Sequence, residues 1–132
     1  MFWGDQEPLK MIQAVKSLGL RCGHLGFTGA VDFTGLAEVY SKALEDEDFA
    51  VTAVFAAYDG ESYADIPTVL QTVGFIPEAT RTARELRTYE VIDMTAAIGV
   101  DIFACHIGFV PEDHTDPVYA PVRDMVRRIC DY

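Results

Sequence analysis

Residues 100–112, VDIFACHIGFVPE, run almost without interruption through apolar side chains and end on a histidine, a glycine and a Pro-Glu pair. Such a run reads as a strand buried on both faces, the kind that occurs in parallel α/β sheets. Chemistry in these folds collects where a strand ends and the loop to the next helix begins. His106 stands at that edge of the run, and Glu112 lies just beyond it.

The rest of the chain alternates in the same sense. Residues 8–18 open with Pro8 in a first-turn position, close before Gly19, and align Leu9, Ile12, Val15 and Leu18 on one helical face. Residues 20–27 read as a strand. Residues 33–45 carry a stripe of Leu36, Val39, Tyr40, Ala43 and Leu44, with Asp32 or Thr34 as the cap. Residues 49–57, FAVTAVFAA, read as a second buried strand. The connection from Tyr58 to Ile76 is too long for a simple turn and too apolar for disorder, so it is expected to fold over the top of the sheet. Pro77 starts a helix that reaches Ile98, and Asp116-Pro117 opens a last one along Val118, Val122, Met125 and Ile129. Strands alternating with helices imply right-handed βαβ crossovers and a parallel sheet.

Composition narrows the function. Half of the 132 residues are hydrophobic, enough for a single domain over residues 1–132 with a real core. Ten basic residues against 21 acidic ones give a net charge of −11, which leaves no basic footprint for nucleic acid. No apolar run has the length of a membrane span, and the N-terminus lacks signal-peptide order, so a soluble cytoplasmic protein with no membrane partner is expected. Cys22, Cys105 and Cys130 form no CxxC pair and read as reduced, mostly buried thiols. The run Glu45-Asp46-Glu47-Asp48 reads as a solvated turn. Arg81, Arg84 and Arg87 read as a solvated helix face paired with Glu78, Glu85 and Glu90, with a phosphate site as the competing reading. No phosphate loop, dinucleotide fingerprint or nucleophile elbow is present.

The stretch GESYADIPTVLQTVGFIPEATR, followed by HIGFVPE at the end of the next strand, resembles the sugar phosphate isomerase/epimerase family with a xylose-isomerase-like TIM barrel. The resemblance runs from the helix at Pro8 to the last helix. It implies that Phe2-Trp3 ends the first strand and that residues 20–27, 49–57 and 100–107 are the second to fourth. The expected fold is a partial (β/α) barrel, its N-terminal portion only, since eight strands take about 250 residues. Members of the family typically bind a divalent metal through carboxylates and a histidine on later strands, where two acidic residues move a proton beside a carbonyl. This chain is therefore expected to lack both the metal ligands and the acid–base pair, so no catalytic residue and no metal ligand is assigned to it. The implied partner is a small sugar or sugar phosphate.

Four residues are candidates for contact with that sugar: His106, His24, Glu112 and Glu61. His106 faces the pocket in one reading, ligates a metal as the resemblance also allows in a less favoured one, and is otherwise satisfied by backbone hydrogen bonds. His24, in GHLGF, faces the pocket in one strand register and the helix layer in the next. Glu61 and Glu112 are loop carboxylates that either bond a hydroxyl or are merely solvated. Trp3, Phe27, Tyr58 and Phe109 form a sugar-stacking rim in one reading and pack into core or loops in the other. The alternative function, from a different class, is a half-barrel that self-associates as a homodimer and serves as a binding or assembly module without catalysis.

Overall fold

The computed structural model describes residues 1–4, 7–29 and 31–132. The order is β1 (Phe2–Trp3), α1 (Pro8–Lys16), β2 (Cys22–Phe27), α2 (Leu36–Asp46), β3 (Ala50–Ala56), α3 (Ile66–Thr72), α4 (Glu78–Ala97), β4 (Phe103–Cys105) and α5 (Tyr119–Asp131). The four strands form one sheet in the order β1-β2-β3-β4, and the pairings of β1 with β2 and of β2 with β3 are parallel. The alternation expected from the sequence is thus present, as half the strands of a β/α barrel. The chain divides into two compact units, residues 1–57 with 90–104 and residues 58–89 with 105–132.

In the first unit, period-two alternation sorts the strand residues between two faces. Phe2, Leu25 and Val54 stand in register, as do Phe27 and Ala56, and all five are buried. Phe27 meets Tyr40 of α2 edge-on at 5.5 Å and Phe33 at 5.0 Å, while Phe2 meets Phe49 at 5.8 Å. This is the helix-side core. On the other face Trp3, Gly26 and Phe55 share a register, and the indole lies across Gly26. A Cβ on Gly26 would come within 2.7 Å of the Trp3 ring, so the absence of a side chain there permits the contact.

Several boundaries move, each for a visible reason. The left-handed Gly35 precedes α2, which starts at Leu36, and Asp32 caps a turn on Thr34 instead of the helix. The long connection holds α3, which begins where Asp65 accepts the Thr68 N–H at 2.8 Å and Pro67 sits in the first turn. The last helix starts at Tyr119, because Asp116 turns back to accept the Val118 N–H. β4 is only three residues long and half-buried rather than covered on both faces. Beyond Cys105 the backbone leaves the ladder, and the Ile107 carbonyl accepts the Phe75 N–H instead.

Three readings of surface chemistry are corrected. Cys22 and Cys130 are exposed and Cys105 is half-buried, so the thiols are unpaired but not mostly buried. Within the acidic run, Glu47 is not simply solvated: it caps α2 and accepts bonds from Lys16 at 2.8 Å and Gln13 at 2.7 Å, tying α2 to α1. Arg81 and Arg84 do not form a solvated face. Both turn toward loop carbonyls, and Arg84 is only 4% exposed.

In the second unit α4 and α5 are joined by Arg128, which grips both Glu85 carboxylate oxygens at 2.6 and 2.8 Å. That guanidinium is the main reason the Glu85 carboxyl is held below its ordinary value of 4.5. A carboxyl lowered on folding contributes stability above its unfolded pKa, and the contribution is lost as pH falls through the lowered value. Arg128→Gln is therefore expected to lower stability slightly at pH 7 and to change nothing measurable near pH 2. Urea midpoints of the two proteins at both pH values check this; an equal deficit at low pH would contradict it.

Candidate functional site

The second unit gathers its polar side chains around the connection that follows β3. Tyr58 anchors the start of that connection. It is buried, its ring packs on Phe75 at 5.5 Å, and its hydroxyl lies 2.7 Å from Thr88 Oγ1. The Thr88 hydroxyl donates to the Arg84 carbonyl, so Tyr58 is the donor in their bond. Burial pushes the Tyr58 phenol far above its ordinary range, which makes it a neutral strut.

Glu61 closes the connection on itself. One carboxylate oxygen accepts the Gly74 N–H at 2.8 Å, and the other accepts the Tyr58 N–H at 3.2 Å and the Tyr63 hydroxyl at 3.3 Å. The Tyr63 hydroxyl also lies 2.7 Å from His106 Nδ1, with the two rings edge-on at 5.5 Å. Glu61 and His106, two of the four sequence candidates, are thus brought together by a tyrosine that sequence reasoning did not single out. Its only signal was an aromatic residue two positions after the glutamate.

The segment after β4 is seated by the end of the same connection. The Phe75 N–H donates to the Ile107 carbonyl at 2.8 Å. Gly74, at φ +69°, lies so close that a Cβ there would fall 2.1 Å from the Ile107 carbonyl carbon, and Gly108 faces Val73 in the same way. His106 is therefore held in two ways, by the Tyr63 hydroxyl on its ring and by the Phe75 N–H on the carbonyl of the next residue, Ile107.

 Those two ties, at 2.7 and 2.8 Å, fix both the imidazole and the peptide that follows it.

The electrostatics follow from this arrangement. Partial burial, and then the nearby Glu61 carboxylate, push the Tyr63 phenol up to about 12. It therefore keeps its proton at neutral pH, and that one proton serves two acceptors. When it points to Glu61, Nδ1–H of His106 donates to the phenol oxygen; when it points to His106, the imidazole proton is on Nε2. Carboxylate, phenol and imidazole thus form a chain along which donor and acceptor roles can exchange. Such a group suits neutral hydroxyls, each of which both donates and accepts.

The other two candidates stand apart from this network. Glu112 is exposed and takes no part in it. His24 belongs to the first unit, where it is exposed and pairs in register with Ala53 of β3, beside a shift in the β2–β3 ladder. Of the four aromatic residues, Phe27 and Tyr58 are core, while Trp3 and Phe109 are 41% and 52% exposed. Among the described residues no three His, Cys, Asp or Glu side chains converge as a metal site would require. The donors present do not fit the divalent ion that the resemblance implies, and no step is routed through one. The first unit also has a cleft of about 640 Å³ beside Arg21, Glu45, Asp48 and Phe49. It lies where β3 begins, the end opposite to that used for chemistry in β/α barrels.

No helix among the described residues is long and apolar enough to cross a membrane. No protein-family model and no curated protein matches the sequence. Among solved structures, the crystal structure of a xylose isomerase domain protein from Planctomyces limnophilus is similar to 96% of this chain, with a TM-score of 0.82 and 28% sequence identity. The chain spans 45% of the length of that protein. Four parallel-sheet strands alternating with helices, and a likeness over 96% of the chain to a xylose isomerase domain protein, give this chain a xylose-isomerase-like fold that matches part of a β/α barrel.

Proposed function

We propose that the chain is part of a sugar isomerase/epimerase-like protein, and that its Glu61–Tyr63–His106 cluster binds the hydroxyls of a small sugar. The observation that carries this reading is the likeness to the Planctomyces limnophilus xylose isomerase domain protein over nearly the whole chain. In this reading proton transfer beside the sugar carbonyl belongs to a complete barrel, whose acid–base pair would lie on strands other than the four described here. What this chain contributes is the position of the substrate, through the exchangeable donors and acceptors of the cluster.

A neutral sugar fits better than a phosphorylated one. Arg81 donates to the Phe75 and Ile76 carbonyls, and Arg84 to those of Gly74 and Asp59, so both guanidinium groups serve the loop. A net charge of −11 also opposes the approach of a phosphate. The setting in this reading is the cytoplasm, in keeping with three unpaired thiols.

Saturation-transfer NMR with free pentoses and hexoses, and with their phosphates, tests the proposal. Free sugars are expected to show transfer, and Tyr63→Phe and His106→Asn are each expected to weaken binding about fivefold, the equivalent of one hydrogen bond. Transfer to no sugar, or equal transfer in both variants, would sink the reading.

The open sheet favours self-association as a second reading. β1 and β4 are its two edges, and Ile102, which leads into β4, is 57% exposed. In that case light scattering shows a discrete dimer; a monomer at all concentrations rules it out.

A further inference from the structure

Arg84 carries a full charge yet is 4% exposed, which is rare for an arginine without a carboxylate in its grip. One terminal nitrogen donates to the Gly74 carbonyl at 2.5 Å, and the other donates to the Asp59 carbonyl at 3.0 Å. The guanidinium carbon lies 5.6 Å from the centre of the Tyr58 ring. A single fork therefore holds both ends of the 59–74 segment, the segment that carries Glu61 and Tyr63. Gly74 is gripped on both sides, by Glu61 on its N–H and by Arg84 on its carbonyl. The same residue lies against Ile107, the neighbour of His106.

We propose that Arg84 is the positioning residue of the site: by clamping the Asp59 and Gly74 carbonyls it sets where Glu61 and Tyr63 meet His106, and so the affinity for sugar hydroxyls. Affinity enters through the reading of the cluster given above, whereas the geometry can be tested without a ligand. Lysine offers a point charge rather than a planar fork and cannot span both carbonyls in the same way. Methionine keeps the stem and removes the donors.

The experiment compares wild type, Arg84→Met, Arg84→Lys and Tyr63→Phe. The ring nitrogen chemical shifts of His106, assigned by their loss in His106→Asn, are read by NMR at one fixed pH, and circular dichroism confirms folding. Arg84→Met is expected to move those shifts in the same direction as Tyr63→Phe, which removes the hydrogen bond to Nδ1, with Arg84→Lys in between. Sugar affinity is expected to fall about tenfold in Arg84→Met, as for a site loosened by a fraction of an ångström. A folded Arg84→Met with the wild-type His106 ring shifts overturns the proposal. So does failure of both Arg84 variants to fold, since Arg84 would then serve stability alone. If wild type binds no sugar, the functional reading fails, and the His106 ring shifts still decide the role of Arg84.

Discussion

Gly74→Ala is expected to remove about 2–5 kcal/mol from the stability of the second unit. Two costs combine. A left-handed backbone angle of +69° disfavours any Cβ by about 1–2 kcal/mol. Overpacking adds about 1–3 kcal/mol, and here the new methyl would overlap the Ile107 carbonyl, backbone that has no rotamer to yield. Relief requires the two segments to separate, which breaks the Phe75–Ile107 hydrogen bond and draws Glu61 away from its donor. Near-ultraviolet circular dichroism reports this unit, because Tyr58, Tyr63, Tyr89, Tyr119 and Tyr132 all lie in it. A urea midpoint within about 1 kcal/mol of wild type, on the scale of ordinary substitutions, would show that the close approach is not needed.

Phe27→Ala is expected to cost about 3–5 kcal/mol in the first unit. The ring is fully buried and sits between Phe33 and Tyr40, both edge-on, so truncation leaves a cavity and removes two aromatic pairs. Much of a typical domain stability of about 5–15 kcal/mol would be gone. The single tryptophan makes this measurable in isolation, since Trp3 lies on Gly26, next to the substituted residue and within the same unit. Its emission should shift to the red at a much lower urea concentration than in wild type. An unchanged midpoint would mean that the helix-side core does not depend on this ring.

Much of the architecture was legible because burial leaves a periodic trace. The stripes over residues 8–18 and 33–45 and the apolar runs at 20–27 and 49–57 correspond to elements within a few residues of the expected ends. β1, at two residues, has no period of its own, and only the resemblance pointed to it. The fourth strand came out short because an apolar run records burial, not ladder bonding, and Ile107 pairs with Phe75 off the sheet. α3 did carry a signal, Asp65 followed by Pro67. With none of its seven residues buried, it leaves no apolar stripe to mark it.

The site was half legible. A glutamate in the long connection and a histidine past a strand were the right types in the right places to be considered. Their link through Tyr63 was not, because it depends on how two distant segments cross. The spacing of the arginines misleads for a similar reason. Three-residue spacing describes neighbours along a helix, while Arg81 and Arg84 answer to carbonyls of an irregular loop, and such carbonyls have no signature in sequence.

The hydrogen bond between Tyr63 and His106 joins residues 43 apart, whereas Arg84 reaches back only 10 residues to Gly74, and Glu61 forward 13 to the same glycine. On a ribosome adding roughly 5–20 residues per second, Tyr63 is made roughly 2–9 s before His106. The short-range ties close quickly on that scale, since loops of this size form in well under a millisecond. The order of synthesis therefore matches the order of assembly: the seat for the histidine is shaped by its own local bonds first, and the histidine arrives to find it waiting.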